Sequence, residues 1–192
     1  MNQAPLPVEA VKIIRELFST KGNLRYGENV TQQEHAIQCW SSAWESKSDP
    51  EMRVAAFLHD IGHLYYDEST IDGQDLQHEK LAARLLADWG FSDKVVRLVD
   101  SHVWAKRYLV TNEPYYINRL SSASLSSLMK QGGLMSEDES QYHRQLPYFL
   151  DCLQLRRWDD EGKRIDLDSE VPEQVWHDIN YCLENYPPYS GF

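Results

Sequence analysis

Apolar residues recur at helical spacing along most of this chain. The first such run consists of Val8, Val11, Ile14, Leu17 and Phe18. Residues three or four positions apart lie on one face of an α-helix, so this run predicts an amphipathic helix. No stretch shows the sustained alternation of apolar and polar residues that is typical of a half-buried β-strand. The pattern therefore predicts an all-α fold.

Local start and stop signals divide the rest of the chain into further helices. Thr31, followed three residues later by Glu34, is a capping-box pattern and predicts a helix start. Further starts are predicted at Asp49-Pro50 and after Pro172, and breaks at DESTIDGQD (67–75), Gly90 and Gly132-Gly133. One more helix is predicted around Pro147. Because no repeat or interdomain linker is recognisable, residues 1–192 are expected to form one helical domain.

The size and charge of the chain limit its class of partners. Its 192 residues, 42% of them hydrophobic, are enough to form one substantial core. The formal net charge of -11 argues against nonspecific binding to nucleic acid or to an anionic membrane. A local basic pocket is still compatible with this charge, so a small anionic molecule remains an acceptable partner. The sequence leaves the oligomeric state open.

Cysteine usage and hydropathy bear on the compartment. The three cysteines, Cys39, Cys152 and Cys182, are widely spaced and include no CxxC pair, which favours reduced thiols over a disulfide framework. The N-terminal segment lacks a basic start followed by an apolar core, and no segment reaches the length needed to span a bilayer. We therefore expect a soluble, cytoplasmic protein.

The segment AAFLHDIGHLYYD (55–67) combines the apolar pattern of a buried helix with three polar residues, His59, Asp60 and His63. On a continuous helix, His59 and His63 lie one turn apart and Asp60 points in a neighbouring direction. A buried carboxylate needs a cation, a strong donor or water beside it. A metal ion is the candidate cation, and the two oxygens of Asp60 suit it to bridge two ions.

Histidines are concentrated in the first part of the chain. Five of the seven fall between Thr31 and Tyr108, namely His35, His59, His63, His78 and His102. Taken singly, each is more ordinarily a core or surface residue, but as a set with Asp60 they are the ligands that first-row transition metals prefer. The HExxH, Walker, GxSxG and GxGxxG motifs are absent, so zincins, nucleotide-binding proteins and serine hydrolases lack support.

The order of these residues resembles that of the HD-domain superfamily, in which a histidine, a His-Asp pair, two further histidines and a late aspartate follow one another. The matching residues here are His35, His59-Asp60, His78, His102 and Asp159. The segments HDIGH (59–63), SHVWAKRYL (101–109) and LRRWDD (155–160) resemble more specifically the HD-domain mixed-valent diiron oxygenases that cleave the carbon–phosphorus bond of 1-hydroxyphosphonates. The resemblance implies an HD-domain helical bundle with a dimetal site in its core.

The resemblance also implies roles for individual residues. It assigns two iron ions in a mixed Fe(II)/Fe(III) state. One iron is held by His35, His59, Asp60 and Asp159. The other is held by His78, His102 and Asp60, which bridges the two ions. It assigns His63 and Lys106 to binding of the substrate phosphonate. It also assigns catalytic roles to Asp60, His63 and Lys106. Tyr26 and Glu28 match family residues on the substrate side, although Tyr26 precedes Glu28 by two positions where the family has three.

Ordinary alternatives exist for some of these residues. Lys106 can equally be a solvated lysine within AKR, and Glu28 an exposed loop residue. Asp160 is expected to be the solvated neighbour of Asp159. Arg156-Arg157 either orients a carboxylate or phosphonate or faces solvent.

The implied function is O2-dependent cleavage of a (1-hydroxy-2-amino- or 2-trimethylamino-ethyl)phosphonate, which releases phosphate and glycine or glycine betaine. The main alternative is an HD-domain phosphohydrolase, which would use divalent metals to attack a small phosphoester. A relative of myo-inositol oxygenase is a further alternative, but the short chain and the AKRYL and RRWDD segments favour the phosphonate branch. A noncatalytic scaffold would be favoured if one of the metal-ligand residues of the family pattern were missing, and none of them is missing from this sequence.

Overall fold

Every regular element in the described part of the chain is a helix. The computed structural model describes residues 7–25, 29–65, 77–165 and 170–191. In those ranges the α-helices are α1 (Pro7–Lys21), α2 (Gln32–Glu45), α3 (Pro50–Leu58), α4 (Ile61–Tyr65), α5 (His78–Asp88), α6 (Asp93–Asn112), α7 (Ser122–Lys130), α8 (Glu137–Arg144), α9 (Phe149–Glu161) and α10 (Glu173–Asn185). A short 3₁₀ helix, Tyr116–Arg119, follows α6. The predicted all-α fold is confirmed.

The predicted helix starts follow from side chains that satisfy free backbone N–H groups. At α2, the Thr31 hydroxyl accepts from the Glu34 N–H at 3.2 Å, while Glu34 Oε2 accepts from the Thr31 N–H at 2.7 Å. This reciprocal pair is the capping box that the sequence predicted. At α3, the Asp49 carboxylate accepts from the Met52 N–H at 3.0 Å, and a proline at the first helical position fits the same start.

The helix predicted to run through His59 and Asp60 is broken there, so that prediction was wrong. Helix α3 ends at Leu58 and α4 begins at Ile61, which leaves His59 and Asp60 in a turn. The His59 ring is hydrogen-bonded through Nδ1 to the Ala56 carbonyl at 2.9 Å. Such a local bond between side chain and backbone competes with the regular helical pattern.

The single helix predicted around Pro147 is two helices. Helix α8 ends at Arg144 and α9 begins at Phe149, with Tyr148 in the left-handed region at φ 59°. Proline lacks the N–H that a continuous helix needs and clashes with the preceding turn, so it separates the helices rather than joining them.

The core consists of two apolar clusters that share helices α6 and α9. The larger cluster surrounds α3, whose Val54, Ala55 and Leu58 are completely buried. The smaller cluster includes Leu109 of α6 and Leu153 of α9. Since both helices contribute to both clusters, the described residues pack around one continuous interior. That one domain extends over residues 1–192 remains a prediction.

Disulfide-linked and membrane-spanning architectures are the two classes that the composition disfavours. Cys39, Cys152 and Cys182 are all buried as free thiols. Among the described residues, no helix combines the length and the apolar character that crossing a lipid bilayer requires.

Candidate metal centre

Four histidines and two aspartates meet inside the helical bundle. They are His35 from α2, His59 and Asp60 from the turn between α3 and α4, His78 from the start of α5, His102 from α6 and Asp159 from α9. The exposed fraction is 0% for His59, 3% for His102, 5% for His35 and 6% for Asp159. Groups of this polarity are rarely placed so deep without hydrogen-bonded or charged partners.

The Asp60 carboxylate lies between two pairs of histidines. Its Oδ2 atom is 3.7 Å from His35 Nε2 and 3.6 Å from His59 Nε2. Its Oδ1 atom is 3.7 Å from His78 Nε2 and 3.5 Å from His102 Nε2. Each carboxylate oxygen therefore faces a different pair of rings, which is the arrangement that a carboxylate bridging two ions requires.

Backbone carbonyls fix the orientation of three of these rings. The Nδ1 atoms of His35, His59 and His102 lie 2.8, 2.9 and 3.0 Å from carbonyl oxygens of Gly162, Ala56 and Val99. A carbonyl only accepts, so Nδ1 carries the proton and the Nε2 lone pair of a neutral ring faces Asp60. A backbone hydrogen bond behind the ligating nitrogen is the usual support of a metal-binding histidine.

The facing nitrogens are too close for two neutral rings with lone pairs at Nε2. His35 Nε2 lies 3.2 Å from His59 Nε2, and His78 Nε2 lies 2.7 Å from His102 Nε2. Two acceptors at these distances repel each other unless a proton or a metal cation is shared between them. The donor set therefore fits one metal ion at each histidine pair.

Both aspartates are held in their ionised form. Burial raises the pKa of Asp60, but the surrounding histidines, His59 first, outweigh it and lower the pKa overall. Burial also raises the pKa of Asp159, and the Arg156 guanidinium outweighs it so that the pKa falls well below the usual range. Two carboxylates that stay charged are ready to bind cations at neutral pH.

The buried rings differ in their affinity for a proton. Burial lowers the pKa of His59 and, together with the neighbouring His78, lowers the pKa of His102 well below its usual value. Burial also lowers the pKa of His35, but Cys39 and Asp159 outweigh it, so that this pKa is raised. A proton on His35 Nε2 takes the place beside the carboxylates that a metal cation would otherwise fill.

Asp159 is shared between the histidines and an arginine. Its Oδ1 atom is 3.5 Å from His35 Nε2, and its Oδ2 atom is 2.6 Å from Arg156 Nη1. Asp160, predicted to be solvated, has only 5% of its side chain exposed and pairs with Arg156. That prediction was wrong because the guanidinium is buried between the two carboxylates.

His63 lies beside the second histidine pair. Its ring stacks on that of His78, with the ring centroids 4.0 Å apart and the planes at 21°. One ligand atom each from Asp60, His63 and His78 lie within 4.8 Å of one another. His63 is thus near enough either to contact a bound substrate or to act as a further ligand.

Lys106 is buried, not solvated. It follows His102 by one turn on α6, only 3% of the residue is exposed, and its Nζ donates to Ser127 Oγ at 2.7 Å. The alternative of a solvated surface lysine is therefore wrong. Whether this ammonium contacts a substrate stays a prediction. The predicted substrate residues Tyr26 and Glu28 lie outside the described residues.

A second lysine and two serines near Lys106 escaped the sequence analysis. Lys163 Nζ donates to Ser124 Oγ at 3.1 Å, and Ser127 Oγ donates to the Ser124 carbonyl at 3.1 Å. Both serines lie on α7, more than 30 residues from Lys163 in sequence, so only the tertiary fold brings these groups together.

Cys39 also lies beside the centre. Its Sγ atom is 3.8 Å from His35 Nε2 and 3.9 Å from Nδ1 of the same ring. A sulfur at similar distances from both nitrogens lies alongside the ring, whereas the sulfur of a metal ligand would lie beyond Nε2, where one ion could contact both atoms. We therefore interpret Cys39 as packing against His35, although His35, Cys39 and His59 bring three ligand-type atoms within 4.8 Å of one another.

Gly62 allows α4 to approach the start of α5. A Cβ atom at this position would lie 2.2 Å from the carbonyl oxygen of His78. Gly62→Ala should therefore displace His78 from Asp60 and destabilise the fold by about 1–3 kcal/mol. The expected result is a lower Tm together with weaker metal binding, measured by thermal unfolding and metal analysis. Gly191→Ala is the matched control, since nothing lies within 4 Å of its added Cβ; equal behaviour of the two variants would contradict the prediction.

Comparison with known proteins agrees with this geometry. The HD domain matches residues 33–119, a range that includes five of the six converging residues. Hydroxymethylphosphonate dioxygenase of Gimesia maris is 40% identical over 191 residues, which cover 96% of this chain and 94% of the relative. The glycine-betaine-forming 1-hydroxy-2-(trimethylamino)ethylphosphonate dioxygenase of Leisingera caerulea is 37% identical over 171 residues, covering 87% of this chain and 85% of the relative. The chain therefore belongs to the HD-domain family of phosphonate dioxygenases.

Proposed function

We propose that this protein uses O2 to cleave the carbon–phosphorus bond of a 1-hydroxyphosphonate. The observation that carries the proposal is the Asp60 carboxylate with one oxygen facing each histidine pair, in a chain that aligns along most of its length with two phosphonate dioxygenases. Membership of this family favours an oxygenase over the phosphohydrolase, since both relatives are named for an oxygen-dependent reaction.

The chemistry balances with one O2 for each substrate molecule. C1 bears a hydroxyl group and is oxidised to a carboxylate, while the phosphorus leaves as phosphate. The C1–P and C1–H bonds break, one oxygen atom from O2 is retained in the carboxylate and the other in phosphate, and O2 receives all four electrons from the substrate. Glycine betaine contains no phosphorus, so a glycine-betaine-forming reaction on a phosphonate requires this cleavage. No external reductant is needed.

Two iron ions are the proposed metals. We assign the first to His35, His59, Asp60 and Asp159 and the second to His78, His102 and the same Asp60. Imidazole and carboxylate donors suit iron, and the incomplete shell of protein ligands leaves positions for substrate and O2. When bound, iron supplies the one-electron redox chemistry that activation of O2 needs, whereas the protein supplies binding and orientation.

Two lysines form the proposed binding site for the phosphonate. Lys106 and Lys163 donate to hydroxyls one helical turn apart on α7, those of Ser127 and Ser124. Ammonium and hydroxyl groups can donate several charge-assisted hydrogen bonds to the three oxygens of a phosphonate. Arg156 also reaches Ser124 Oγ, at 3.4 Å, but its charge is balanced by Asp159 and Asp160. The lysines are thus the better partners for a dianion, with His63 proposed at its other side.

The decisive experiment compares phosphate release with O2 consumption. The protein is loaded with Fe(II) without oxygen and mixed with 2-amino- or 2-trimethylamino-1-hydroxyethylphosphonate or with hydroxymethylphosphonate. We expect no phosphate under anaerobic conditions and equal amounts of phosphate formed and O2 consumed in air. Phosphate release without oxygen would contradict the oxygenase. Hydrolysis of a phosphoester by a preparation that releases no phosphate from the three phosphonates would favour the phosphohydrolase instead.

The substituent on C2 is proposed to be a primary or quaternary ammonium that Glu28 recognises, and Tyr26 is the second proposed substrate residue. Glu28→Gln preserves the size of the side chain but removes its charge, so substrates with a cationic C2 substituent should lose kcat/KM by about 10-fold or more. Hydroxymethylphosphonate has no C2 and serves as the matched substrate, whose kcat/KM should not change. Equal losses on all three substrates would contradict a role for Glu28 at the ammonium.

A further inference from the structure

The carboxylate of Asp159 is held from behind by a buried chain of polar groups. Arg156 donates from Nη1 to Asp159 Oδ2 at 2.6 Å, and from Nε to Asp160 Oδ2 at 3.1 Å. Arg156 Nη2 pairs with the other oxygen of Asp160. The Tyr116 hydroxyl in turn donates to Asp160 Oδ2 at 2.6 Å. Tyr116 and Arg156 are each only 3% exposed.

This chain connects two elements that are distant in sequence. Tyr116 begins the 3₁₀ helix that follows α6, whereas the other three residues lie on α9. A planar guanidinium with donors on several edges can hold two carboxylates in fixed directions, which an ammonium cannot do. The geometry leaves Asp159 Oδ1 as the oxygen that faces His35.

We propose that Asp160 and Tyr116 are positioning residues that act through Arg156 to orient Asp159 toward the first metal site. Asp160 itself is not assigned as a ligand. Its role is to fix the guanidinium, which occupies Asp159 Oδ2 and so directs Oδ1 to the metal. The inference rests on the proposed function in taking Asp159 as a metal ligand.

The prediction is a selective loss of metal from one of the two sites. Replacing a group that orients a ligand usually lowers metal affinity by about 10- to 100-fold. Asp160→Asn should therefore lower the affinity for one ion by that factor and leave the affinity for the other ion unchanged. Tyr116→Phe should act in the same direction with a smaller effect. Arg156→Lys keeps the positive charge but loses the planar fork of N–H donors, so it should also bind that ion more weakly than the parent does.

Asp178→Asn is the control for a merely structural effect. Asp178 is also a buried carboxylate paired with an arginine, since it accepts from Arg53 Nε at 2.7 Å and from Nη2 at 2.8 Å. Asp178 lies on α10, which supplies none of the six converging residues, and its neutralisation should lower Tm without changing metal affinity. The Asp160 and Asp178 variants together separate orientation of a ligand from stability of the fold.

The experiment titrates each full-length protein with Fe(II) without oxygen, in competition with a chelator, and records Tm alongside. Asp160→Asn should retain one tightly bound ion where the parent retains two. Parental affinity in Asp160→Asn and Arg156→Lys would overturn the inference, as would a loss in Asp160→Asn that Asp178→Asn reproduces. A parent that binds one ion contradicts the proposed dimetal function, but weakening of that ion by Asp160→Asn alone would still support the positioning role. A parent that binds no metal overturns both.

Discussion

Asp60→Ala is expected to abolish phosphate release and to disrupt metal binding at both histidine pairs. Asp60 is the residue whose two oxygens face different pairs, so its removal takes one ligand from each ion and removes the only protein atoms proposed to connect them. Metal ions contribute several kcal/mol to transition-state stabilisation, so the rate should fall at least about 1000-fold. Metal analysis and the phosphate assay measure the two effects.

Two further variants make the Asp60 result interpretable. Asp60→Asn preserves the shape of the side chain but has only one oxygen, so it should also fail to hold two ions. His177→Ala removes an exposed histidine of α10 and should leave the metal content unchanged. If Asp60→Ala and His177→Ala bind the same amount of iron, the converging residues do not form a metal centre.

Lys106→Met should produce the second largest effect, a loss in kcat/KM with nearly full metal content. Methionine has a similar length and apolar stem but cannot donate to a phosphonate. Loss of a charge-assisted hydrogen bond in a buried site costs about 1.5–3 kcal/mol, which corresponds to about 10- to 150-fold in kcat/KM. Steady-state kinetics with a saturating supply of O2 measure this loss.

Lys12→Met is the matched control for Lys106→Met. It makes the same change in net charge on an exposed face of α1, where no catalytic role is proposed. Comparable kinetics of the two variants would contradict a direct contact between Lys106 and the substrate. A large loss of iron in Lys106→Met would instead place this residue in the support of the metal site.

His63→Ala distinguishes a substrate contact from a metal ligand beside the second histidine pair. If His63 contacts only the phosphonate, its removal should weaken kcat/KM and leave iron binding largely intact. An emptied metal site would make His63 a ligand, in accordance with its position beside Asp60 and His78.

The helices were predictable because their signals are local. The capping box at Thr31, the Asp49-Pro50 start and the break at Gly90, where φ is 91°, each depend on a few adjacent residues. The converging histidines were predictable only as a set, through their order and its resemblance to a family. Periodicity alone cannot state that His35 and Asp159 lie 3.5 Å apart.

Three features could not be predicted because they depend on contacts between distant elements. The turn at His59-Asp60 interrupts a segment whose apolar pattern favours a continuous helix. Asp160 is buried by Arg156 and Tyr116, and a run of charged residues gives no sign of that. Likewise, Lys163, which follows the end of α9, reaches Ser124 on α7 only through the tertiary fold.

The six converging side chains are spread along the chain from His35 to Asp159, so ions bound by them would act as a cross-link among four helices and the turn between α3 and α4. Because an unfolded chain has no such preformed site, every increment of binding free energy would also be free energy of folding. Metal supply would then govern the lifetime of the polypeptide as well as its activity. Where that metal is scarce, opening of the bundle and loss of the ions would be one linked event, and proteases would remove the metal-free chain first.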